Sequence, residues 1–163
     1  MTPTTLPPLA DERRPPSGSQ GAAPVVPFYL MSTEEGRSVL SVRQLADFAQ
    51  QSVGGGAAPQ WLRDFPADLP GEVVGVKFAV LPVGWVGEWH ESPQPQWVVP
   101  LSGRWFLETM DGRRAEMGPG DLHFGQDQGT AGERGHRSGQ LGDAPCVQLL
   151  VQFSAETRMG AGE

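Results

Sequence analysis

Cysteine, lysine and histidine are all scarce in this chain of 163 residues. Its single cysteine, Cys146, cannot form a disulfide within the chain and opens the apolar run CVQLLVQF, so we predict a buried thiol in a reducing compartment. No stretch approaches the roughly 20 apolar residues of a membrane span. The N-terminus shows neither the basic nor the apolar segment of a secretory signal. These absences predict a cytoplasmic protein.

Basic residues are also fewer than acidic residues. The 12 Lys and Arg residues against 19 Asp and Glu residues give a formal net charge of -7. A nucleic acid or an anionic membrane would need a basic face, so we expect neither of these and predict a small organic molecule as the partner. The sequence Gly118-Pro119-Gly120 is followed by no lysine and no helix start, which indicates a turn and argues against a nucleotide cofactor.

Glycine and proline, by contrast, are abundant, with 22 and 16 residues. This favours many short elements joined by turns over long helices. Between two apolar runs, Asp111-Gly112 predicts a two-residue hairpin turn, because both residues tolerate positive φ angles. Short runs rich in Val, Phe, Trp and Leu predict strands near 72–81, 84–90, 96–101, 104–110, 113–117, 120–124, 135–139 and 145–153.

Each of these strands must bury one face, and closure into a barrel or jelly roll would do this without leaving exposed edges. The predicted fold class is therefore all-β, an antiparallel β-barrel or jelly roll with a short N-terminal helix and a disordered N-terminal tail. The predicted organisation is a disordered tail at 1–24, an N-terminal arm, helix and loop at 25–71, the barrel at 72–154 and a C-terminal tail at 155–163.

The segment before the barrel has two local signals. The apolar run Val25–Met31 is interrupted by Pro27, which predicts an edge strand or an extended arm. Ser41 followed by Gln44 is a capping-box pattern, and apolar residues then recur at helical spacing. We therefore predict a helix over residues 42–53.

Imidazole chemistry has few candidates, since the chain contains only His90, His123 and His136. In the run GWVGEWH, Glu88 and His90 share one face of a strand. If His90 faces the interior of a barrel, Glu88 does too, where a buried carboxyl can act as a general acid or base.

The spacing of these residues resembles the cupin superfamily over roughly residues 72–153, where Gly84 and Gly103 fall at the two ends of the first cupin motif. The ligand positions between them, where cupins carry two histidines and a glutamate, are occupied here by His90, Ser92 and Gln96. The second motif looks like GPGDLHF at 118–124, followed after a loop by GHRSG. This register puts His136 at the family's remaining metal-binding histidine.

The resemblance implies a single-domain jelly roll with a degenerate metal motif. A divalent metal such as Fe, Mn, Ni or Zn would be held by His90, Gln96 and His136, with open positions for water or substrate. Ser92 is an improbable ligand, and the neutral amide oxygen of Gln96 binds a divalent cation less strongly than a carboxylate does.

Aromatic residues add a candidate for ligand contact. On the strand at 104–110, charged residues mark one face as the wetter one, so Trp105 on the other face is predicted to line the interior and contact an apolar or aromatic ligand. Alternation places three further tryptophans outside the interior: Trp85, Trp89 and Trp97. His123 lies outside the family's ligand positions, and Asp127 in the loop before His136 is a residue type that is ordinarily solvated.

Three functions stay open at this level. The first is a metal-dependent enzyme of dioxygenase, isomerase, lyase or hydrolase type. The second is a metal-free enzyme, similar to cupins that cyclise or epimerise their substrates, with His90, His136 or Glu88 as acid or base. The third is a protein that binds a small molecule without transforming it. The resemblance also implies a homodimer, for which residues 25–35 are a candidate arm exchanged between subunits.

Overall fold

Short strands form nearly all of the regular structure. The computed structural model describes residues 2–9, 23–56 and 58–160, and in this part the chain is all-β, as predicted, with a 3₁₀ turn at Ala131–Glu133 and no α-helix. No helix in these ranges is long and apolar enough to cross a membrane. The strands are β1 (Thr4–Thr5), β2 (Val26–Glu34), β3 (Arg37–Leu45), β4 (Ala49–Gln51), β5 (Gln60–Leu62), β6 (Val73–Leu81), β7 (Gln96–Ser102), β8 (Arg104–Thr109), β9 (Arg113–Met117), β10 (His123–Gln126), β11 (His136–Leu141) and β12 (Cys146–Phe153).

The strands form two main sheets. Six strands follow the order β3-β2-β10-β7-β12-β6, four follow β1-β9-β8-β11, and β4 and β5 form a separate pair. Neighbours are antiparallel except β10 with β2 and β1 with β9, which are parallel. No pairing among the described strands closes either sheet into a barrel. A turn at the predicted Asp111-Gly112 position joins β8 and β9. Only Gly112 has a positive φ, and its N–H donates to the carbonyl of Thr109 at 3.1 Å, so the predicted two-residue turn is wrong in type.

The space between the two sheets holds the main apolar core. The alternation of β8 turns Trp105 and Leu107 toward the six-stranded sheet, where they pack with residues such as Met31 and Val98. A second cluster lies on the opposite face of the six-stranded sheet, because Phe28 alternates with its inward-facing neighbours and packs with Phe124. The core therefore has one layer between the sheets and one layer outside the larger sheet.

The predicted helix over 42–53 is wrong. Its first residues continue β3, which ends at Leu45, and the rest contains the short strand β4. The hairpin formed by β2 and β3 pairs nine residues on each strand. This long-range pairing of the alternating apolar residues Leu40 and Val42 outweighs the local capping-box signal at Ser41.

The predicted edge strand near residues 25–31 is an interior strand. β2 pairs with β3 on one side and with β10 on the other, and its pairing with β10 begins only at Tyr29. Pro27 therefore lies outside the doubly paired part, where its missing N–H breaks no ladder with β10. The division between an arm and a barrel at residue 72 stays a prediction, although the larger sheet contains strands from both sides of it.

The segment predicted as a strand at 84–90 is not a regular strand. It follows the free edge of β11 through two isolated bridges, Val86 with Gly139 and His90 with His136. Gly84 has a φ of 85°, and Gly87 lies between the two bridges, so the backbone does not keep a regular ladder.

Both ends of the described chain contribute to packing. Part of the predicted N-terminal tail is ordered: β1 pairs with β9, and the side chain of Leu9 is buried in the core between the sheets. Near the C-terminus, Met159 packs into the outer cluster. Leu9 and Met159 are apolar residues in otherwise polar segments, and their burial explains why both segments pack against the sheets. The rest of the predicted tail, residues 10–22, lies outside the described residues.

Candidate functional site

A buried aspartate and a histidine form the centre of the candidate site. Asp127 directly follows β10 and has no exposed surface, and His136 begins β11. His136 Nδ1 lies 2.7 Å from Asp127 Oδ2. The other carboxylate oxygen, Oδ1, accepts the backbone N–H of Ser92 at 2.9 Å. Both oxygens of the buried carboxylate are therefore occupied by donors.

These contacts determine the protonation of Asp127. Burial alone would raise the pKa of its carboxyl, but the hydrogen bond and positive charge of His136, together with the hydrogen bonds from Ser92, hold that pKa below its ordinary value. Asp127 is thus a carboxylate at neutral pH. When His136 is neutral, this carboxylate holds the ring proton on Nδ1 and leaves the lone pair of Nε2 available. Within the described residues, Nε2 has no hydrogen-bond partner.

A second histidine, His123, is buried on the inner face of the six-stranded sheet. Burial, helped by the nearby charge of His136, lowers the pKa of His123 to about 3, so this imidazole is neutral. Its Nδ1 lies 3.3 Å from the carbonyl oxygen of Tyr29. A Cβ atom added at Gly125 would lie 3.1 Å from both His123 Nε2 and the Ser92 hydroxyl, so these two polar atoms line the same small space.

His90 lies at the outer side of this site. Its ring centroid is 4.6 Å from that of His136, and the two residues exchange backbone hydrogen bonds of 2.9 Å in both directions. Gly135 permits this approach, because a Cβ there would lie 2.2 Å from the carbonyl oxygen of His90. His90 itself is exposed, and its Nδ1 lies 2.9 Å from the carbonyl oxygen of Glu88.

Two predicted site residues are placed differently from the others. The carboxyl of Glu88 is exposed rather than buried, because residues 84–90 lie on the sheet edge with this face toward solvent. The side-chain oxygen of Gln96 accepts a hydrogen bond of 3.0 Å from Gln152. The structure therefore brings His90 and His136 together, while Gln96 is engaged by a neighbouring strand.

Trp105 lies inside, as the alternation of β8 predicts, and is 4% exposed. Its ring centroid is 5.8 Å from that of His123. The indole N–H has no hydrogen-bond partner in the described part of the chain, and the same holds for the side-chain amide nitrogen of Gln148. Buried donors without partners are costly, and a ligand with acceptor oxygens would satisfy them.

The tryptophans predicted outside the interior lie there. Trp97 packs in the outer cluster, with its ring centroid 5.2 Å from that of Phe28. Trp89 lies under the guanidinium of Arg134, 4.4 Å from the ring centroid. Neither contributes to the site.

The sequence reasoning gave little weight to two residues of this site, Asp127 and His123. Asp127 looked like a solvated loop residue, and no local pattern shows that a backbone N–H 35 residues earlier in the chain binds it. His123 carried a weak signal, because it alternates with Phe124 and one of the two had to face the space between the sheets; His123 does so, and Phe124 packs in the outer cluster.

Comparisons with protein-family models and with curated proteins found no match to this chain. The arrangement of side chains is therefore the main guide to function. It combines a histidine hydrogen-bonded to a buried carboxylate, a neutral buried histidine and two buried donors without partners among the described residues.

Proposed function

We propose that this chain is a cupin-type jelly-roll enzyme that transforms a small organic molecule by acid/base catalysis, with His136 as the proton-transferring group. The observation that carries the proposal is the 2.7 Å contact between His136 Nδ1 and the fully buried Asp127. Two sheets packed face to face with mainly antiparallel strands support the jelly roll.

The chemistry follows from the dyad. His136 Nε2 accepts a proton from an acidic C–H or O–H of the substrate, and the imidazolium that forms is stabilised by the carboxylate of Asp127. The proton then returns to a different atom of the substrate in an isomerisation, or to the opposite face of the same carbon in an epimerisation. Such an isomerisation or epimerisation consumes no second reactant. Trp105 offers its indole N–H to the developing negative charge on a substrate oxygen, whereas the neutral His123, with Nδ1 toward the Tyr29 carbonyl, presents Nε2 as an acceptor.

A metal-dependent reaction is the second candidate, and the proximity of His90 and His136 favours it. Both imidazoles have Nδ1 engaged by an oxygen, the pattern found in metal-ligating histidines. However, the remaining donor set is poor: Gln96 supplies a neutral oxygen already bound by Gln152, and both oxygens of Asp127 are in use. Among the described residues no group of three His, Cys, Asp or Glu side chains is placed to hold a metal. The donors therefore do not fit a tightly held divalent cation.

A homodimer remains part of the proposal. β2 is paired on both sides within its own sheet, and of the two edge strands, β3 and β6, the second carries the more exposed apolar side chains. Its outward side chains Val76, Phe78 and Val80 are 61%, 73% and 60% exposed. So large an apolar surface is unusual on a monomer.

The test is proton exchange in D₂O with a panel of small carbonyl compounds that carry an acidic C–H. We expect deuterium incorporation by the wild type, reduced about a hundredfold or more in His136→Gln and in Asp127→Asn. ¹⁵N NMR of Asp127→Asn should show that His136 loses its fixed Nδ1–H tautomer. The matched control is His90→Gln, which alters a neighbouring imidazole outside the dyad and should retain most of the exchange.

Three outcomes would contradict the proposed acid/base function or favour another one. Turnover that survives His136→Gln contradicts the acid/base role. Saturable binding of a compound without any exchange favours a binding protein. Near-stoichiometric Fe, Mn, Ni or Zn in the purified wild type, lost in both His90→Ala and His136→Ala, favours the metal-dependent enzyme.

A further inference from the structure

A polar pocket lies on the face of the six-stranded sheet that points away from the dyad. It has a volume of about 380 Å³ and lies between β2, β3, β10 and the C-terminal segment. Its polar lining includes Ser32, Thr33, Glu34, Arg43, Gln128 and Arg158. Two arginines therefore face one small cavity in a protein whose net charge is negative.

Arg43 is the unusual member of this lining. Its Nε is buried and has no hydrogen-bond partner, and no ion pair to its guanidinium exists in the described part of the chain. A shielded guanidinium nitrogen without an acceptor costs free energy. With 19 acidic residues in the chain, an unpaired arginine in a pocket indicates an acceptor that comes from outside.

Arg158 is held in position on the opposite wall. Its Nη1 donates to the side-chain oxygen of Gln128 at 2.7 Å, and Gln128 donates in turn to the carbonyl oxygen of Ser92 at 2.7 Å. The segment around it is fixed by Gln126, which exchanges hydrogen bonds of 2.9 and 2.8 Å with the backbone of Met159. No acidic side chain in the described residues pairs with Arg158, so its charge is also uncompensated.

The only acidic residue of the lining is Glu34, which is exposed and forms no ion pair with either arginine among the residues described. The positive charge of the pocket therefore exceeds its negative charge. Guanidinium groups bind carboxylates and phosphates through paired, charge-assisted hydrogen bonds. The geometry points to a binding site for a small organic anion, whose carboxylate or phosphate group contacts Arg43 and Arg158.

The test is calorimetric titration of the full chain with inorganic phosphate and, separately, with succinate, at constant ionic strength maintained with NaCl. We expect saturable binding of one of the two probes, weakened about tenfold or more in Arg43→Gln. Arg43→Lys should bind with intermediate affinity, because it keeps the charge but loses the paired donors. Phosphate binding alone identifies a phosphate site, and succinate binding alone identifies a carboxylate site.

The control is Arg104→Gln, which removes an equal charge on the other sheet, where Arg104 lies 3.7 Å from Glu116. It should bind the probe like the wild type. Arg158→Gln provides a second variant in case Arg43→Gln does not fold. Absence of saturable binding of both probes, or equal losses in Arg43→Gln and Arg104→Gln, overturns the proposal.

Discussion

Two strands of the same sheet, β10 and β6, reverse the usual relation between polarity and burial. β10 reads HFGQ and is buried at every position, whereas β6 reads VVGVKFAVL and is mostly exposed. β10 has a neighbour on each side, while β6 lies at the edge and pairs only with β12. The position of a strand in the layers, more than its composition, therefore decides its exposure. β10 contributes His123 to the candidate site, and β6 presents the surface that we propose as a contact with a second subunit.

The sharpest test of this contrast compares one phenylalanine from each strand. Phe124 on β10 is fully buried and Phe78 on β6 is 73% exposed. Phe124→Ala should lower the free energy of unfolding by about 3–5 kcal/mol because it leaves a cavity. Phe78→Ala should change that of the monomer by less than about 0.5 kcal/mol. Urea unfolding at several protein concentrations measures both, and similar losses would show that β6 is covered within the monomer.

The buried histidine of β10 should make stability depend on pH. Its pKa is lowered to about 3 in the folded chain by burial, against an ordinary value of 6.5. Between these values the unfolded state binds a proton that the folded state does not, so stability falls as the pH falls. The loss from His123 is about 1.4 kcal/mol per pH unit within the window, or about 2–3 kcal/mol between pH 6.5 and 4.5.

The difference in the free energy of unfolding between the wild type and His123→Gln isolates the contribution of His123 from that of His136 and Asp127, which lie close by. Unfolding by urea at pH 6.5, 5.5 and 4.5 provides the measurement. The glutamine variant should show a shallower decline. Parallel curves for the two proteins would mean that His123 is solvated or protonated in the folded state.

The sequence predicted those features that depend on local alternation. The strands β6, β8, β9 and β12 lie within about two residues of the predicted ranges, and Trp105 faces the interior because its neighbours alternate with it. The failures share a different cause. Residues 42–45 became strand through pairing with β2 and residues 49–51 through pairing with β5, and Asp127 became buried with a backbone donor far away in the chain. The local spacing of residues does not predict such long-range partners.

The predictions for the candidate site also divide into those that local spacing supports and those that it does not. The spacing that resembles cupin motifs placed His90 and His136 in one site, and their rings are indeed adjacent. The same spacing predicted a ligand role for Gln96, which the structure shows bound to Gln152. Motif spacing brought two positions together but did not determine their environment, since His90 is exposed and Gln96 is bound by a neighbouring strand.

The smallest expected change in monomer stability belongs to the surface of β6, where the effect should appear in assembly. A long, apolar edge strand with free backbone donors and acceptors favours association, and Lys77 is its only charged residue. Light scattering should give the mass of a dimer for the wild type and of a monomer for Phe78→Glu at the same concentration. Val53→Glu is the control, because Val53 is 62% exposed but lies in the segment between β4 and β5. A monomeric wild type, or a dimer that persists in Phe78→Glu, would exclude this face as the interface and leave its exposed valines without a partner.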